Sequence, residues 1–545
     1  MKKLQIYILC IALAAICSIK LSAQVVSTVD SLNKTYLNWY NMDPKLNKVE
    51  GVSIDKAYNV LLKSKTAKKK IIVAVIDGGV DTAHIDLKGK IWKNTNEIPG
   101  NNKDDDNNGY IDDVYGWNFI GNSKGENIIT ENYEYIRILK KLYPLFKNIK
   151  STDAVPTEQQ NDYKLYLSCK TKYDAELAKY TEEKNNIEKS EKKLNEAENT
   201  IKEYLKKDNF TQQEVEKISS TNEEISKSQK NLLVLYKKGI TLKSIAAMKK
   251  RTSLYLEKYL NLEYNPRDIV GDDPENITDT KYGNNNVKGP QSEHGTLVAG
   301  IIAADRNNNI GINGIAEDVQ IMALRVVPDG DERDKDVALA IRYAVDNGAN
   351  IINMSFGKAF SPQKKFVDDA IKYAGDHNVL LIHAAGNDGM NNDSIEHYPS
   401  KKINDGTYAK TMINVGTSNL KPDNDYAAYF SNYGQSIDLF APGVNIISLY
   451  PENKYAKANG TSFSCPVVSG VAALVWSYYP EITALQLKNV LLNSVTSHAK
   501  MKVKNPAKNS STKTEISFSK LCKTGGSINA YKALKAAAKL TKHKK

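Results

Sequence analysis

Short apolar runs punctuate the chain at residues 71–76, 320–327, 350–356, 379–386 and 411–417. The first is closed by Asp77-Gly78-Gly79. Runs of this length without strict alternation read as strands buried on both faces, as in a parallel sheet. Residues 334–347 and 362–377 carry a helical period between them. Strand, helix, strand, helix predicts an α/β fold with a parallel sheet. Such sheets place functional sites at the carboxyl ends of their strands.

A different pattern fills residues 131–262, which are rich in Lys, Glu and Asn and nearly free of Gly and Pro after Pro156. Apolar residues recur at Leu165, Cys169, Tyr173, Leu177, Tyr180, Ile187, Leu194, Ile201 and Leu205. The spacings of 4, 4, 4, 3, 7, 7, 7 and 4 make a heptad-like seam. Asp208-Asn209 breaks it. Thr211 with Glu214 forms a capping box predicted to start a second helix carrying Val215, Ile218, Ile225, Leu232 and Leu235. Gly239 ends that helix, and Thr241 is placed to cap a third. The expected object is an antiparallel helical hairpin with a coiled-coil-like seam. Two readings stand for it: an arm that contacts a protein partner or substrate, or a spacer that packs only on itself.

The ends carry other signals. Lys2 and Lys3 precede the apolar residues 4–19, and Leu21-Ser22-Ala23 precedes Gln24. Residues 1–23 therefore read as a secretory signal peptide, which predicts an exported, periplasmic or extracellular protein. Cleavage removes Cys10 and Cys17 and leaves Cys169, Cys465 and Cys522, an odd, widely spaced set with no disulfide framework. No other run reaches membrane-spanning length. Residues 24–70 are a polar lead with scattered apolar positions such as Trp39, Tyr40 and Val52. Tyr531 to Lys545 reads as a basic amphipathic helix with a frayed end, suited to packing on the domain or to a membrane surface. The composition, 41% hydrophobic and 25% charged, permits a large core and excludes a wholly disordered chain. The net charge of +12 comes from 75 basic residues mixed with 63 acidic ones, and no basic-aromatic motif appears, so nucleic acid is not an expected partner.

Four segments carry chemistry. Asp77 ends the first apolar run, and His294 opens an apolar helix within His294-Gly295-Thr296-Leu297-Val298-Ala299-Gly300. Asn387 follows a buried run in Ala384-Ala385-Gly386-Asn387, and Ser462 lies in Asn459-Gly460-Thr461-Ser462 before a helical run. A serine hydroxyl needs a base to take its proton, and histidine can serve near neutral pH and later protonate a leaving amine. A buried carboxylate fixes the imidazole tautomer. A tetrahedral oxyanion needs donors, which the Asn387 amide and the Ser462 backbone N–H can supply. Each residue alone is a common turn, cap or loop; the order Asp, His, Asn, Ser in these contexts is specific. That triad order, on a fold of this class, is the one subtilisin uses.

On these residues the chain resembles the subtilase family of subtilisin-like serine peptidases, over roughly residues 70–118 and 288–535. The resemblance implies a subtilisin-like, doubly wound, mostly parallel sheet with the long helical stretch inserted between Asp77 and His294. It implies Asp77, His294 and Ser462 as a triad, with Asn387 as oxyanion donor. It makes Ser355, Phe356 and Gly357 a substrate-binding strand, with Ala384, Ala385 and Gly386 as the facing wall of the primary specificity pocket. Relative to compact members, the 217 positions between Asp77 and His294 are many. The 47 residues of the 24–70 lead are few for a propeptide. His84 is read as structural, His383 as an unusual occupant of its strand, and His397 as without a base or metal pattern.

Calcium is the expected ion. Asp104, Asp106, Asn108, Tyr110 and Asp112 place oxygen ligands at alternate positions around Gly109, like the start of an EF-hand loop. Tyr115 stands where that motif needs Glu, so the segment is a calcium loop of another type or a polar turn. By resemblance, Asp86, Asn308 and the carbonyls of Ile310 and Ile312 form a second site. The chain is thus read as a signal peptide (1–23), a lead (24–70), a catalytic domain in two parts (71–130 and 263–535), a helical insertion (131–262) and a basic tail (536–545). The expected activity is secreted endopeptidase cleavage of polypeptides through an acyl-enzyme on Ser462. The alternatives are a maturation protease for a dedicated partner and a non-catalytic binding protein on the same fold.

Overall fold

The computed structural model describes residues 25–507 and 514–542, so the segment expected to be a signal peptide, with Cys10 and Cys17, lies outside the described residues, as do residues 508–513 and the last three. The chain forms two compact units, one of residues 1–129 with 267–545 and the other of residues 130–266.

The first unit is built on a nine-stranded sheet. Its strands are β1 (Ile71–Asp77), β2 (Gly116–Asn118), β3 (Val319–Arg325), β4 (Ile351–Met354), β5 (Leu380–Ala384), β6 (Met412–Ser418), β7 (Leu439–Pro442), β8 (Thr496–Ser497) and β9 (Gly526–Ser527). The order across the sheet is β8-β9-β7-β6-β5-β4-β1-β3-β2, parallel except for the outermost pair β8 and β9. Alternate residues of one strand feed two cores. Val73 and Val75 pack with the helices Glu293–Ala303 and Thr461–Tyr478, whereas Ala74 and Ile76 pack with the helices Asp334–Asp346 and Lys364–Asp376. Burial on both faces explains why the strands read as continuous apolar runs. The chain runs from β3 to β4 across β1, so the direction of winding reverses around β1. That reversal leaves a crevice at the carboxyl end of β1, beside Asp77.

The lead belongs to the first core. Trp39, Tyr40, Val52, Ile54 and Ala57 are fully buried there. Val25–Val26 extends a smaller sheet by pairing with Tyr455 and Ala456. The Val52 carbonyl accepts from the Ala530 N–H, and Tyr40 Oη and Asn41 Nδ2 both donate to the Asn313 carbonyl. The tail is the helix Ala530–Lys542, with Ala533, Leu534 and Ala537 in the same core. It packs on the domain.

The second unit is helical. Gln160–Leu205, 46 residues and about 69 Å long, packs along Glu223–Lys237 and Leu242–Leu254. Ile187, Leu194 and Ile201 of the expected seam are buried with Leu232, Leu235 and Ile245. The seam's start differs: Tyr163 and Tyr166 are buried, while Leu165 and Leu177 are only half-buried. The Thr211 capping box forms but starts a helix of five residues, Gln212–Glu216. The second long helix is capped instead by Asn222, whose Oδ1 accepts from Glu224 and Ile225. Among the described residues no helix is long and apolar enough to cross a membrane.

Because Trp39 fills the main core, Trp39→Ala is expected to destabilise the first unit by about 3–5 kcal/mol, read as a lowered denaturation midpoint. A midpoint unchanged from the parent would mean the lead is not part of the cooperative core.

Candidate active site

Asp77 ends β1 with 2% of its surface exposed. The Gly78 N–H donates to its Oδ1 at 2.7 Å, and His294 Nδ1 stands 2.9 Å from both carboxylate oxygens. That contact fixes the proton on Nδ1 and leaves Nε2 as the acceptor on the outer side. Burial opposes charging of the imidazole, but the Asp77 charge and hydrogen bond outweigh it and hold the His294 pKa above its ordinary 6.5. His294 sits in the first turn of the helix Glu293–Ala303. The helix approaches so closely that a Cβ on Gly295 would lie 2.1 Å from the Gly79 carbonyl oxygen.

Ser462 lies in the first turn of the helix Thr461–Tyr478, preceded by Gly460 at φ 152°. Few residues other than glycine adopt that backbone angle. Pro466 has no N–H to return to the Ser462 carbonyl one helical turn before it. Ser355 Oγ donates to that carbonyl instead, at 2.9 Å, and Ser462 Oγ donates to the Ser355 carbonyl, also at 2.9 Å. The two serines therefore hold each other, and the Ser462 proton points to Ser355 rather than to His294. Asn387 Oδ1 accepts from the Thr461 N–H at 2.8 Å and from Thr461 Oγ1 at 3.0 Å. With that oxygen committed, Asn387 Nδ2 makes no hydrogen bond among the described residues and can donate beside the Ser462 helix terminus.

The two expected walls face each other across a histidine. Ser355, Ala384, Ala385 and Gly386 are buried, and Phe356 and Gly357 are half-buried. A Cβ on Gly357 would meet His397 Cε1 at 2.1 Å, and one on Gly386 would meet its Nε2 at 3.0 Å. The His397 ring thus stands between the walls. His383 lies next to it, ring centroids 5.7 Å apart, with Nε2 3.0 Å from the Phe356 carbonyl. Burial and the His397 ring push the His383 pKa down to about 3, and burial lowers that of His397, so both rings are neutral. The Cys465 thiol is buried at 3.3 Å from Asn353 Oδ1, and burial pushes it up to about 12. It packs rather than reacts.

Sequence patterns could not single out His397, because its role comes from two glycines on other segments. Arg325 was missed as well. It pairs in register with Asp77, is fully buried, and donates from Nε to the Gly78 carbonyl at 2.9 Å and from Nη2 to the Ile128 carbonyl at 2.8 Å. With neutral partners only, burial lowers its pKa to about 10.

The structure brings together part of each expected metal site. Asp112 spends its oxygens on the N–H groups of Gly100, Asn101 and Asn102, and Asp104 on those of Asn108 and Gly109. Tyr110 packs its ring against Trp117, Phe119 and Tyr343, and Asn108 turns its amide nitrogen to Asp106 and Asp113. Of the expected five, only Asp106 contributes to a cluster of carboxylate oxygens, together with Glu97 and Asp113. At the second site, Asp86 faces donors rather than oxygens: Asn308 Nδ2 at 2.6 Å and the Ile312 N–H at 3.2 Å. The Ile310 N–H binds Asn308 Oδ1. Asp86 and Asn308, two of the expected residues, are thus brought into side-chain contact. Burial raises the Asp86 pKa to about 6.

A doubly wound sheet with an aspartate–histidine pair at its switch point and a serine at a helix terminus defines a hydrolase-type α/β architecture. The model of the subtilase family matches residues 68–514, and the chain belongs to that family of subtilisin-like serine peptidases. It is similar to subtilisin BL and to subtilisin Savinase, both of Lederbergia lenta, each 38% identical over 205 residues that make up 37% of this chain and 70% of the relative. Among solved structures it is similar to the prenylagaramide maturation protease PagA, with 31% identity and a TM-score of 0.36 over 45% of this chain and 82% of that one.

Proposed function

We propose that the protein is an exported serine endopeptidase that hydrolyses peptide bonds through an acyl-enzyme on Ser462. The observation that carries this reading is the Asp77–His294 contact at 2.9 Å beside a serine at a helix N-terminus and an asparagine amide with free donors. On binding a peptide, Ser462 leaves the Ser355 carbonyl and gives its proton to His294 Nε2 as Oγ attacks the scissile carbonyl. Asp77 stabilises the imidazolium. The oxyanion is held by Asn387 Nδ2 and the Ser462 N–H, whose helix end favours negative charge. His294 then protonates the leaving amine, and water repeats the sequence on the ester. Among the described residues, Gly357 N–H and C=O have no backbone hydrogen-bond partner, which suits an extended peptide added along residues 355–357. Export is read from Lys2, Lys3 and residues 4–19, which lie outside the described residues.

Ser462→Ala is expected to abolish peptide hydrolysis and covalent labelling by serine-directed probes while leaving the melting curve in place. Turnover persisting in the purified variant would rule the assignment out.

The raised His294 pKa sets the acid limb of activity. The base must be neutral, so kcat/KM is expected to rise with pH with a midpoint above 6.5. Asp77→Asn should move that midpoint down as well as lowering the rate. A midpoint at or below 6.5 in the parent would count against His294 as the base.

His397 bounds the pocket for the residue preceding the scissile bond, which favours small side chains there. His397→Ala is expected to raise kcat/KM for Phe or Leu at that position, relative to Ala, by about tenfold or more. An unchanged preference across a peptide panel would place the pocket's limit elsewhere.

A further inference from the structure

The lead and the tail meet on one side of the first unit. The Val52 carbonyl accepts from the Ala530 N–H, where the helical stretch 54–62 and the helix Ala530–Lys542 begin. The two stay in contact beyond that point, and Lys56 Nζ stands 5.0 Å over the Tyr531 ring. Residues 44–70 carry eight lysines against Glu50 and Asp55, and residues 530–542 carry four lysines and no acid. All twelve lysines but Lys56 are exposed. Among the described residues, only Lys56 and Lys68 of the twelve form an ion pair. The nearby acids are already engaged: Asp43 with Lys56, Asp55 with Arg306 and Glu481 with Lys68, while Glu50 lies 3.5 Å from His498. Burial and the neighbouring Lys45 charge lower the Lys532 pKa, so the lysines of lead and tail act on one another.

Two large apolar side chains stand out from this basic face. Leu46 is 70% exposed, the highest of any large apolar residue described, and Val60 is 60% exposed. Leu46 lies in the short helix Pro44–Asn47, between Lys45 and Lys48, and Val60 lies in Ala57–Leu62, just before Lys63. A single exposed apolar residue needs no explanation. Two of them on a surface of unpaired lysines form a pattern. The tail's own apolar stripe, Ala533, Leu534 and Ala537, is spent in the core, so the tail does not enter a bilayer as a free amphipathic helix. What this side offers is a field of ammonium groups with two apolar tips.

That combination suits an anionic lipid surface. Lysine acts as a point charge, drawn to a diffuse layer of phosphates without fixing any one of them. Recognition of a nucleic acid or a phosphorylated loop draws on arginine forks, and neither segment contains an arginine. A hydrated acidic polymer gains from the lysines but not from Leu46 and Val60, whereas a bilayer takes up both.

We propose that the lead and the tail form a docking face for membranes rich in anionic phospholipid, with the lysines at the headgroup phosphates and Leu46 and Val60 dipping between them. The lysines at 63–70 precede β1, so they lie at the end of that strand opposite Asp77. Their charge is placed away from the catalytic crevice. The lead thus carries a second task besides filling the core. The docking face is independent of the proposed peptidase activity.

The test uses the full chain carrying Ser462→Ala, so that self-cleavage does not enter, and vesicles of phosphatidylcholine with and without phosphatidylglycerol. The expected result is co-sedimentation about tenfold or more tighter with phosphatidylglycerol than without it, weakening as salt rises. Lys45→Glu, Lys48→Glu, Lys535→Glu and Lys539→Glu together should weaken binding by about tenfold or more. Lys189→Glu, Lys193→Glu, Lys227→Glu and Lys243→Glu in the helical unit make the same change in net charge and should leave binding in place. Leu46→Ser with Val60→Ser should weaken vesicle binding by about tenfold while leaving retention on heparin unchanged. These side chains are exposed, so the melting curves should stay with the parent. If the first four-lysine variant does not fold, Lys535→Glu with Lys539→Glu makes the same comparison. No preference for phosphatidylglycerol, equal loss in the two lysine sets, or vesicle binding that ignores Leu46 and Val60 overturns the proposal.

Discussion

A carboxylate buried at the end of a central strand must find donors, and the satisfaction of Asp77 is the constraint around which the first unit is arranged. Its partners come from two directions: the Gly78 N–H from its own turn and the His294 ring from a helix more than two hundred residues later. For the ring to arrive, the helix Glu293–Ala303 must touch the turn after β1, and the bare Gly295 makes room for the Gly79 carbonyl. Arg325 closes the arrangement from the neighbouring strand, where its Nε holds the Gly78 carbonyl. An uncompensated guanidinium in a core is costly. Here it is surrounded by oxygens of Gly78, Asn118 and Ile128, so its burial is tied to correct placement of the turn that carries Asp77.

The serine side obeys a second constraint, the lost helix bond at Pro466. A helix interior tolerates proline poorly, but near the first turn the loss can be repaired from outside. Ser355 repairs it, and in doing so registers the end of β4 against the start of the Ser462 helix. The return bond from Ser462 Oγ keeps the hydroxyl on a carbonyl in the resting arrangement. In the proposed reaction the hydroxyl leaves that carbonyl for His294.

Much of this was legible in the sequence because the signals were strong and local. The strand runs at 71–76 and 320–327 lie within two residues of β1 and β3, since burial on both faces leaves little freedom in residue type. β7, β8 and β9 escaped notice because strands of two to four residues carry no period. The lead looked polar, yet Trp39 and Tyr40 are core residues, a case where tertiary packing outweighs average composition. In the loop at 104–112, alternate acids resembled a coordination pattern. Positive φ at Asn102, Asn107 and Asp112 instead turns the backbone so that Asp104 and Asp112 bind amides. The carboxylates that do converge include Glu97 and Asp113, outside the apparent motif, and only the fold brings them together. His397 was illegible for the same reason.

The helical insertion between Asp77 and His294 tests how much extra chain a site can tolerate. Loop-closure entropy grows only with the logarithm of length, so what matters to the site is how firmly the ends are fixed. On the departing side, the Ile128 carbonyl is held by Arg325 and the Ile129 carbonyl by the Asp329 N–H. On the returning side, Arg267 is buried against Asp272 and Asp336, and Lys335 is buried against Asp272. Burial opposes the Arg267 charge, but the two aspartates outweigh it and hold its pKa well above the ordinary value. Breaking a buried ion pair by removing one member typically costs about 3–5 kcal/mol, so this cluster admits one arrangement and few substitutions. Asp336 and Lys335 belong to the helix Asp334–Asp346, which crosses from β3 to β4 and so flanks Asp77 on the sheet. The first-unit segments that flank residues 130–266 are thus anchored to the strand and helix that border the site. The chain between these points can be long without loosening the aspartate–histidine contact, because the segments on either side of it are held within the first unit.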